Sequence, residues 1–243
     1  MKRMGARLYQ SNMGNIESKM ENMQKIMRVL THDLRNPLLN IHALVQELDY
    51  SVRKQHGLDD DVAETLDMLK ESANRMDDMI VATNEMYHCM FDELEIESID
   101  MHELFLRCFA NLKLAEEGIS LDCAALPKVD ADPLMIQRVV HELLSNARKA
   151  IATQPLDTAR KIRISAVEER GMVWFCVEDS GCGFDEDEME QVFEPFFSGQ
   201  RFAYGSGMGL ARAKAWVEHH GGSIKIENVA QHAVVGFSLP KSA

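Results

Sequence analysis

The chain has 243 residues, a length comfortable for two domains, and its 46% hydrophobic and 27% charged content is that of an ordinary globular protein. Its formal net charge of −13 argues against nucleic acid or an anionic membrane surface as the main partner. The five cysteines (Cys89, Cys108, Cys123, Cys176, Cys182) are scattered without CxxC spacing, so they read as reduced, mostly buried thiols of a cytosolic protein with no zinc site.

Helical periodicity dominates the first half. Ile16, Met20, Met23, Met27, Leu30, Leu34, Ile41, Leu44 and Leu48 recur largely in alternating steps of four and three. This spacing predicts a helix over about residues 8–53 with an a/d seam that packs along another helix. Gly57 breaks the pattern, and Asp60 or Asp61 can cap a second helix over about 61–95. Its stripe is Val62, Leu66, Leu69, Ala73, Met76, Ile80, Thr83, Tyr87, Met90 and Leu94. One antiparallel hairpin of such helices leaves a long apolar stripe open, and pairing two hairpins in a four-helix bundle buries it. Residues 1–97 are therefore expected to dimerise, although periodicity alone describes a spacer coiled coil as well. No apolar run has the length of a membrane span, and no signal peptide is present.

Residues 98–243 change to mixed helix and strand. Asp100 can cap a helix through about residue 117, and 118–124 alternates as a strand. Asp132 followed by Pro133 opens a helix through about 152. Strands are expected over 161–167 and 172–178, a helix over 209–220 ended by Gly221 and Gly222, and strands over 223–228 and 233–239. The sum is an α+β chain, a helical hairpin followed by a two-layer α/β sandwich. The acidic run Asp185, Glu186, Asp187, Glu188 reads as a solvated helix start.

Some residues are not explained by packing. With Leu30 at d and Leu34 at a, His32 falls at f and faces water. Asp33 flanks it, and Asn36 lies one turn later on the same side. Pro37 frees the Asp33 carbonyl at a cost of about 3 kcal/mol, which a mere spacer does not need. In the second half, Asp179-Ser180-Gly181-Cys182-Gly183 follows a strand, and Gly205-Ser206-Gly207-Met208-Gly209-Leu210 precedes a helix. The second segment offers free backbone N–H groups and a positive helix end to a phosphate. It is neither a Walker loop nor a dinucleotide fingerprint. Asp179 offers an acceptor suited to an exocyclic amine such as that of adenine. Glu142 and Asn146 share a helix face, with Lys149 a turn further on, a set suited to magnesium and phosphates. A solvated helix face has the same spacing. Phe193-Glu194-Pro195-Phe196-Phe197 is equally compatible with core packing.

Taken in order, these segments resemble the sensor histidine kinases of two-component systems. The Thr31 to Pro37 run looks like the H box and Glu142 to Lys149 like the N box. The segment around Asp179 looks like the first glycine box, the Phe193 run like the F box, and Gly205 to Leu210 like the second glycine box. The resemblance implies a dimerisation and phosphotransfer hairpin followed by a GHKL-type ATP-binding domain. It implies that His32 attacks the γ-phosphate of ATP and passes the phosphoryl group to an aspartate of a response-regulator receiver domain. Asn146, with Glu142, would ligate Mg²⁺, Lys149 would bind phosphate, and Asp179 would read adenine. Gly181, Gly183, Arg201, Gly205, Gly207, Gly209 and Leu210 would complete the nucleotide site, and Asp33 would assist the imidazole. Asn36 resembles the residue that orients water for dephosphorylating the regulator. A cytoplasmic homodimer is expected, either the cytosolic part of a larger sensor or a short protein in its own right. Two departures stand out: Glu142 where these kinases more often carry asparagine, and a short lid over 198–204 with Arg201 as its only cation. Glutamate at that place resembles the GHKL ATPases and dehydrogenase kinases in which it is a base. The alternatives are thus an ATPase or serine kinase using Glu142, or a non-catalytic dimeric signalling scaffold.

Overall fold

The computed structural model describes residues 34–51, 60–89, 93–155, 157–197, 206–229 and 232–241. They fall in two compact units, Met1–Tyr87 and His88–Ala243.

In the first unit α1 is helical over 34–51 and α2 spans Asp60–Cys89. They run antiparallel: Arg35 Nε meets Asp77 Oδ1 at 3.1 Å toward one end, and Lys70 Nζ meets Asp49 Oδ2 at 2.9 Å toward the other. The side chains buried are Leu38 and Val45 of α1 and Leu66, Ala73 and Ala82 of α2. Leu34, Ile41, Leu44 and Leu48, the stripe expected to form the helical seam, are instead 45–63% exposed, and Val62, Leu69 and Met76 are exposed with them. The expected seam is therefore split. A helix this rich in apolar residues has two adjacent stripes, and a single partner helix covers one. The portion of the seam before Leu34, together with Met90 and the Tyr87 side chain, lies outside the described residues.

The second helix was expected to reach residue 95. It is described as far as Cys89, and 93–96 form no regular element. Tertiary pairing overrides the heptad here. The Glu95 N–H donates to Asp132 Oδ2 at 3.2 Å, and a strand unforeseen from sequence, β1 (Glu97–Asp100), pairs antiparallel with β3 (Lys128–Ala131). Between them lie α3 (Met101–Asn111) and β2 (Ser120–Cys123). The Asp100 carboxylate does cap α3, accepting from the Glu103 N–H at 3.1 Å. The helix nevertheless stops short of residue 117, because Lys113 turns left-handed (φ 55°) and only a 3₁₀ turn, Leu114–Glu117, follows.

The helix α4 (Pro133–Ala152) matches its sequence signals at both ends. Asp132 Oδ1 accepts from the N–H groups of Leu134 and Met135, and Pro133 occupies the first turn, where no donor is required. After it come β4 (Lys161–Glu169), β5 (Met172–Asp179), α5 (Gly209–His219), β6 (Ile224–Val229) and β7 (His232–Pro240). The acidic run forms only a 3₁₀ turn, Glu186–Glu188. Five strands make one sheet in the order β2-β4-β5-β7-β6, with β2 parallel to β4 and the other pairs antiparallel. One face of the sheet carries Ile162, Ile164, Val173, Phe175, Val177, Val235 and Phe237. These close a core with Val140, Leu143, Leu144 and Ala147 of α4 and with Trp216 and Val217 of α5. Phe175 and Phe237 stack with ring centroids 5.3 Å apart. The chain is α+β, a helical hairpin and then a sheet packed on helices. The thiols are less enclosed than expected: of the four described, Cys108 is buried, and Cys123, Cys176 and Cys182 are half-buried.

Candidate functional site

The alternation of β5 places Asp179. Every second residue of that strand points into the core, so the register that buries Val173, Phe175 and Val177 also buries the Asp179 carboxyl, 5% exposed. Burial pushes the carboxyl up to about 6, with Glu178 adding to the rise, while the Gly181 N–H and His232 draw it down. The Gly181 N–H donates to Asp179 Oδ1 at 2.8 Å. At Gly181 a Cβ would lie 2.5 Å from the Ala150 Cβ and 2.7 Å from Asp179 Oδ1, so only glycine lets this loop lie against the end of α4. The loop continues through Gly183 (φ 71°) to Phe184, whose backbone is clamped by Asn228. Asn228 Oδ1 accepts from the Phe184 N–H at 3.0 Å, and Nδ2 donates to its carbonyl at 2.7 Å. The first glycine segment therefore presents a buried acceptor beside a fixed backbone turn.

A second cluster forms where α4 meets the start of α5. Glu142 and Asn146, four residues apart, are both half-buried on the α4 face toward α5. A Cβ at Gly209 would lie 2.6 Å from Glu142 Oε2 and 3.6 Å from Asn146 Nδ2. The N-terminus of α5 is thus in direct approach to both groups. Gly207 (φ 68°) precedes it, where a Cβ would lie 2.5 Å from the Phe197 carbonyl oxygen, so the glycine turn is stacked on the segment after Phe193. Glu142 Oε1 accepts a hydrogen bond from Arg212 Nη2 of α5.

The structure thus brings Glu142, Asn146, Gly207 and Gly209 together, with Leu210 half-buried against the core, and it places Asp179, Gly181 and Gly183 on the loop that approaches the far end of α4. Lys149 is exposed on α4. Asn36 is exposed on α1, next to Arg35, which is tied to Asp77. His32, Asp33, Arg201 and Gly205 lie outside the described residues. Sequence reasoning missed Arg212 and Asn228. Arg212 was within reach, since it lies three residues after Gly209 and so on the same helix face, where an enclosed Glu142 needs a cation. Asn228 had no local signal, because its contact with Phe184 spans the sheet.

The site accommodates the groups suggested by its residues. Mg²⁺ is commonly held by one or two protein oxygens together with phosphate oxygens, and a carboxylate and an amide converging on a helix N-terminus offer such a set. Among the described residues no cluster of three or more His, Cys, Asp or Glu is placed to hold a metal alone.

Two family models match the chain. Residues 22–86 match the His Kinase A (phospho-acceptor) domain, and residues 131–243 match the histidine kinase-, DNA gyrase B- and HSP90-like ATPases. Along its length the chain is similar to the methanogenesis regulatory histidine kinase FilI of Methanothrix harundinacea (strain 6Ac). The two are 29% identical over 243 residues, covering 95% of this chain and 26% of FilI, so the chain spans about a quarter of that relative. Among solved structures, full-length ShkA in complex with AMPPNP shares the fold, with TM-score 0.65, 21% identity, and coverage of 90% of this chain and 46% of ShkA. Histidine kinase ThkA in complex with the response regulator protein TrrA does so too, with TM-score 0.63, 21% identity, and coverage of 93% and 65%. The nucleotide-free catalytic domain of ThkA is 26% identical over 61% of this chain and 99% of its own, with TM-score 0.51. The hairpin match, the ATPase match and the order of the segments agree, and the chain belongs to the sensor histidine kinases of two-component systems, with a GHKL-type ATP-binding domain.

Proposed function

We propose that this chain is an ATP-dependent kinase that phosphorylates its own His32 and passes the phosphoryl group to an aspartate on a response-regulator receiver domain. Residues 1–97 serve dimerisation and phosphotransfer, and residues 98–243 bind the nucleotide. The observation that carries the reading is the convergence of Glu142 and Asn146 on Gly209 at the start of α5, with the buried Asp179 carboxyl at the end of β5, before the loop that meets Ala150 of α4. Adenine is read by its amine donating to Asp179, and the phosphates lie toward α5. Glu142 and Asn146 would hold Mg²⁺, and Lys149 and Arg201 would meet the phosphates. When bound, Mg²⁺ neutralises phosphate charge, and the transfer is then mostly a matter of positioning. A ring nitrogen of His32 attacks the γ-phosphorus, the bond to the bridging oxygen breaks, and ADP leaves. Asp33 accepts the proton from the other ring nitrogen or holds it in place.

The open stripe on the hairpin (Leu34, Ile41, Leu44, Leu48, Val62, Leu69, Met76) supports a homodimer. The solved ThkA–TrrA complex, similar in fold, supports a receiver domain as partner. No described helix is long and apolar enough to cross a membrane, and we place the two units in the cytoplasm, where ATP is supplied. Exposed Asn36 suits a second activity, the orientation of water for removing phosphate from the regulator. The deciding experiment is labelling with γ-radiolabelled ATP. An acid-labile, base-stable phosphate should form and disappear in His32→Gln, while label that persists would move the phosphosite elsewhere. In the same assay with a regulator, Asn36→Ala should slow dephosphorylation and spare autophosphorylation. Equal loss of both would remove the phosphatase role.

A further inference from the structure

A carboxylate enclosed between two helices is unfavourable unless paired. Glu142 is 15% exposed, and its partner Arg212, on the facing helix, is 18% exposed. The Arg212 guanidinium also lies 5.9 Å from the centroid of the buried Trp216 ring, one turn further along α5, and Arg138 of α4 lies 5.7 Å from the same centroid. On α4, Arg138, Glu142 and Asn146 are spaced by four. On α5, Gly209, Arg212 and Trp216 are spaced by three and four. The two stripes face one another, and Arg212 is held from two sides, by a charge-assisted hydrogen bond and by an aromatic ring. It cannot turn without losing both. With Oε1 engaged by Arg212, the second carboxylate oxygen, Oε2, is the one toward Gly209, which the Asn146 amide also approaches through Nδ2.

We propose that Arg212 is a positioning residue of the nucleotide site: it fixes the Glu142 carboxylate so that Oε2 and Asn146 form one preset pair facing the metal of a metal-nucleotide. The inference rests on the nucleotide-binding reading above. Arg212 acts through Glu142 and has no need to touch the nucleotide.

The test measures ATP binding by calorimetry in the full chain carrying His32→Gln, so that turnover does not interfere, once with Mg²⁺ and once with EDTA. The ratio of the two affinities is the metal-dependent gain. Arg212→Met keeps an apolar stem against Trp216 and deletes every donor. It should reduce that gain about tenfold or more, the usual effect of removing a group that orients a metal ligand, while affinity in EDTA stays within about twofold. Arg212→Lys should recover part of the gain. Equal falls with and without Mg²⁺ would make Arg212 a mere fastener of α4 to α5 and overturn the proposal, as would an unchanged gain. Should the Met variant fail to fold, Arg212→Leu, which likewise has no donor for Glu142, carries the same comparison with the same two overturning outcomes. Absence of Mg-ATP binding in the chain with native Arg212 would instead overturn the nucleotide reading itself, and the proposal with it.

Discussion

The hairpin and the unit that follows it differ in how they bury apolar surface. The hairpin encloses Leu38, Val45, Leu66, Ala73 and Ala82, and leaves Leu34, Ile41, Leu44, Leu48, Val62, Leu69 and Met76 open. The second unit closes a continuous core on one face of its sheet, in which Phe105, Phe175, Phe237, Leu144 and Ile164 are fully buried. Burying one leucine or isoleucine stabilises by roughly 1.5–3 kcal/mol, so the hairpin holds much of its stabilisation in reserve until a second helical surface covers it. The second unit also exposes apolar side chains, Ile96, Leu106, Leu134, Val167, Phe196 and Val229, but they lie on separate segments and do not line up along one helix pair. In the function proposed above, the phosphotransfer unit leaves apolar surface for association, whereas the nucleotide-binding unit closes its core within one chain.

Charging the open stripe is the strongest way to break this contrast. Leu44→Glu together with Leu69→Glu removes four leucines from a two-fold bundle and puts four charges in their place. The dimer dissociation constant, read by sedimentation equilibrium, should rise by about a thousandfold or more. Both tryptophans, Trp174 and Trp216, lie in the second unit, so its unfolding can be followed by their fluorescence alone. That transition should not move. A variant that remains dimeric would show that the stripe is not the interface. A tryptophan transition that shifts with dissociation would show that the second unit leans on the hairpin.

The same contrast separates what the sequence could reveal from what it could not. α4 was legible to the residue, because an aspartate cap, a proline in the first turn and a regular apolar stripe all act within the helix itself. The location of Asp179 at the end of a strand was legible from the alternation of β5, and the start of α5 from its glycines. The β1–β3 ribbon was not. Each strand has four residues, too few to show a period, and exists because its partner lies about thirty residues away. The hairpin seam was legible as an apolar stripe but not as to what covers each part of it: a heptad says only that apolar residues share a side, not which of two partners covers them. Leu38 and Val45, seven apart and both buried, carry the same period as the stripe beside them. Arg212 was readable as a cation one turn after Gly209, but its partner on another helix was not.

If the second unit is complete in itself, its pH response should be set by its own buried groups, and Asp179 should be the larger. Its carboxyl is raised from 3.8 to about 6 in the fold, with desolvation the main cause. A raised folded value favours the native state below the unfolded pKa, and that contribution is lost as pH rises through the folded one. Between pH 4 and 7 Asp179 therefore withdraws up to about 3 kcal/mol of stability. Asp179→Asn, which keeps an acceptor for the Gly181 N–H, should raise the denaturant midpoint of the tryptophan transition at pH 7.5 and leave it nearly unchanged at pH 4. Binding should respond with the opposite sign. An amine donating to Asp179 favours the ionised form, so nucleotide affinity should tighten as pH rises through 6, with release of a proton detectable by calorimetry in buffers of different ionisation enthalpy. A midpoint at pH 7.5 that falls in Asp179→Asn would show that burial of this carboxylate is more than compensated already in the free protein.

His220 should bend the same profile the other way, by a smaller amount. The ring is buried at the end of α5. Its Nδ1–H donates to the Trp216 carbonyl at 2.7 Å, and its Nε2 accepts from the Asp132 N–H at 3.0 Å, tying α5 to the residue that caps α4. Desolvation draws its pKa below 6.5, with His219 acting in the same direction and the Trp216 carbonyl and the Asp132 carboxylate opposing. A depressed folded value makes the unfolded chain the better proton acceptor, so the contribution is complete above about pH 6.5 and is lost as pH falls below it. Protonation would also set an Nε2 donor against the Asp132 N–H, breaking the link between the helices. His220→Gln can preserve an acceptor for Asp132 without titrating, and it should remove the part of the acid-side loss that lies between pH 6.5 and 5. Asp179 adds stability over that same interval, so the two effects partly cancel in the unsubstituted chain. In Asp179→Asn the His220 limb should stand alone, as a tryptophan transition that weakens on acidification from pH 6.5. A flat profile in that variant would mean that the ring takes up its proton over the same range folded as unfolded, so that neither its burial nor the Asp132–His220 link distinguishes the two states.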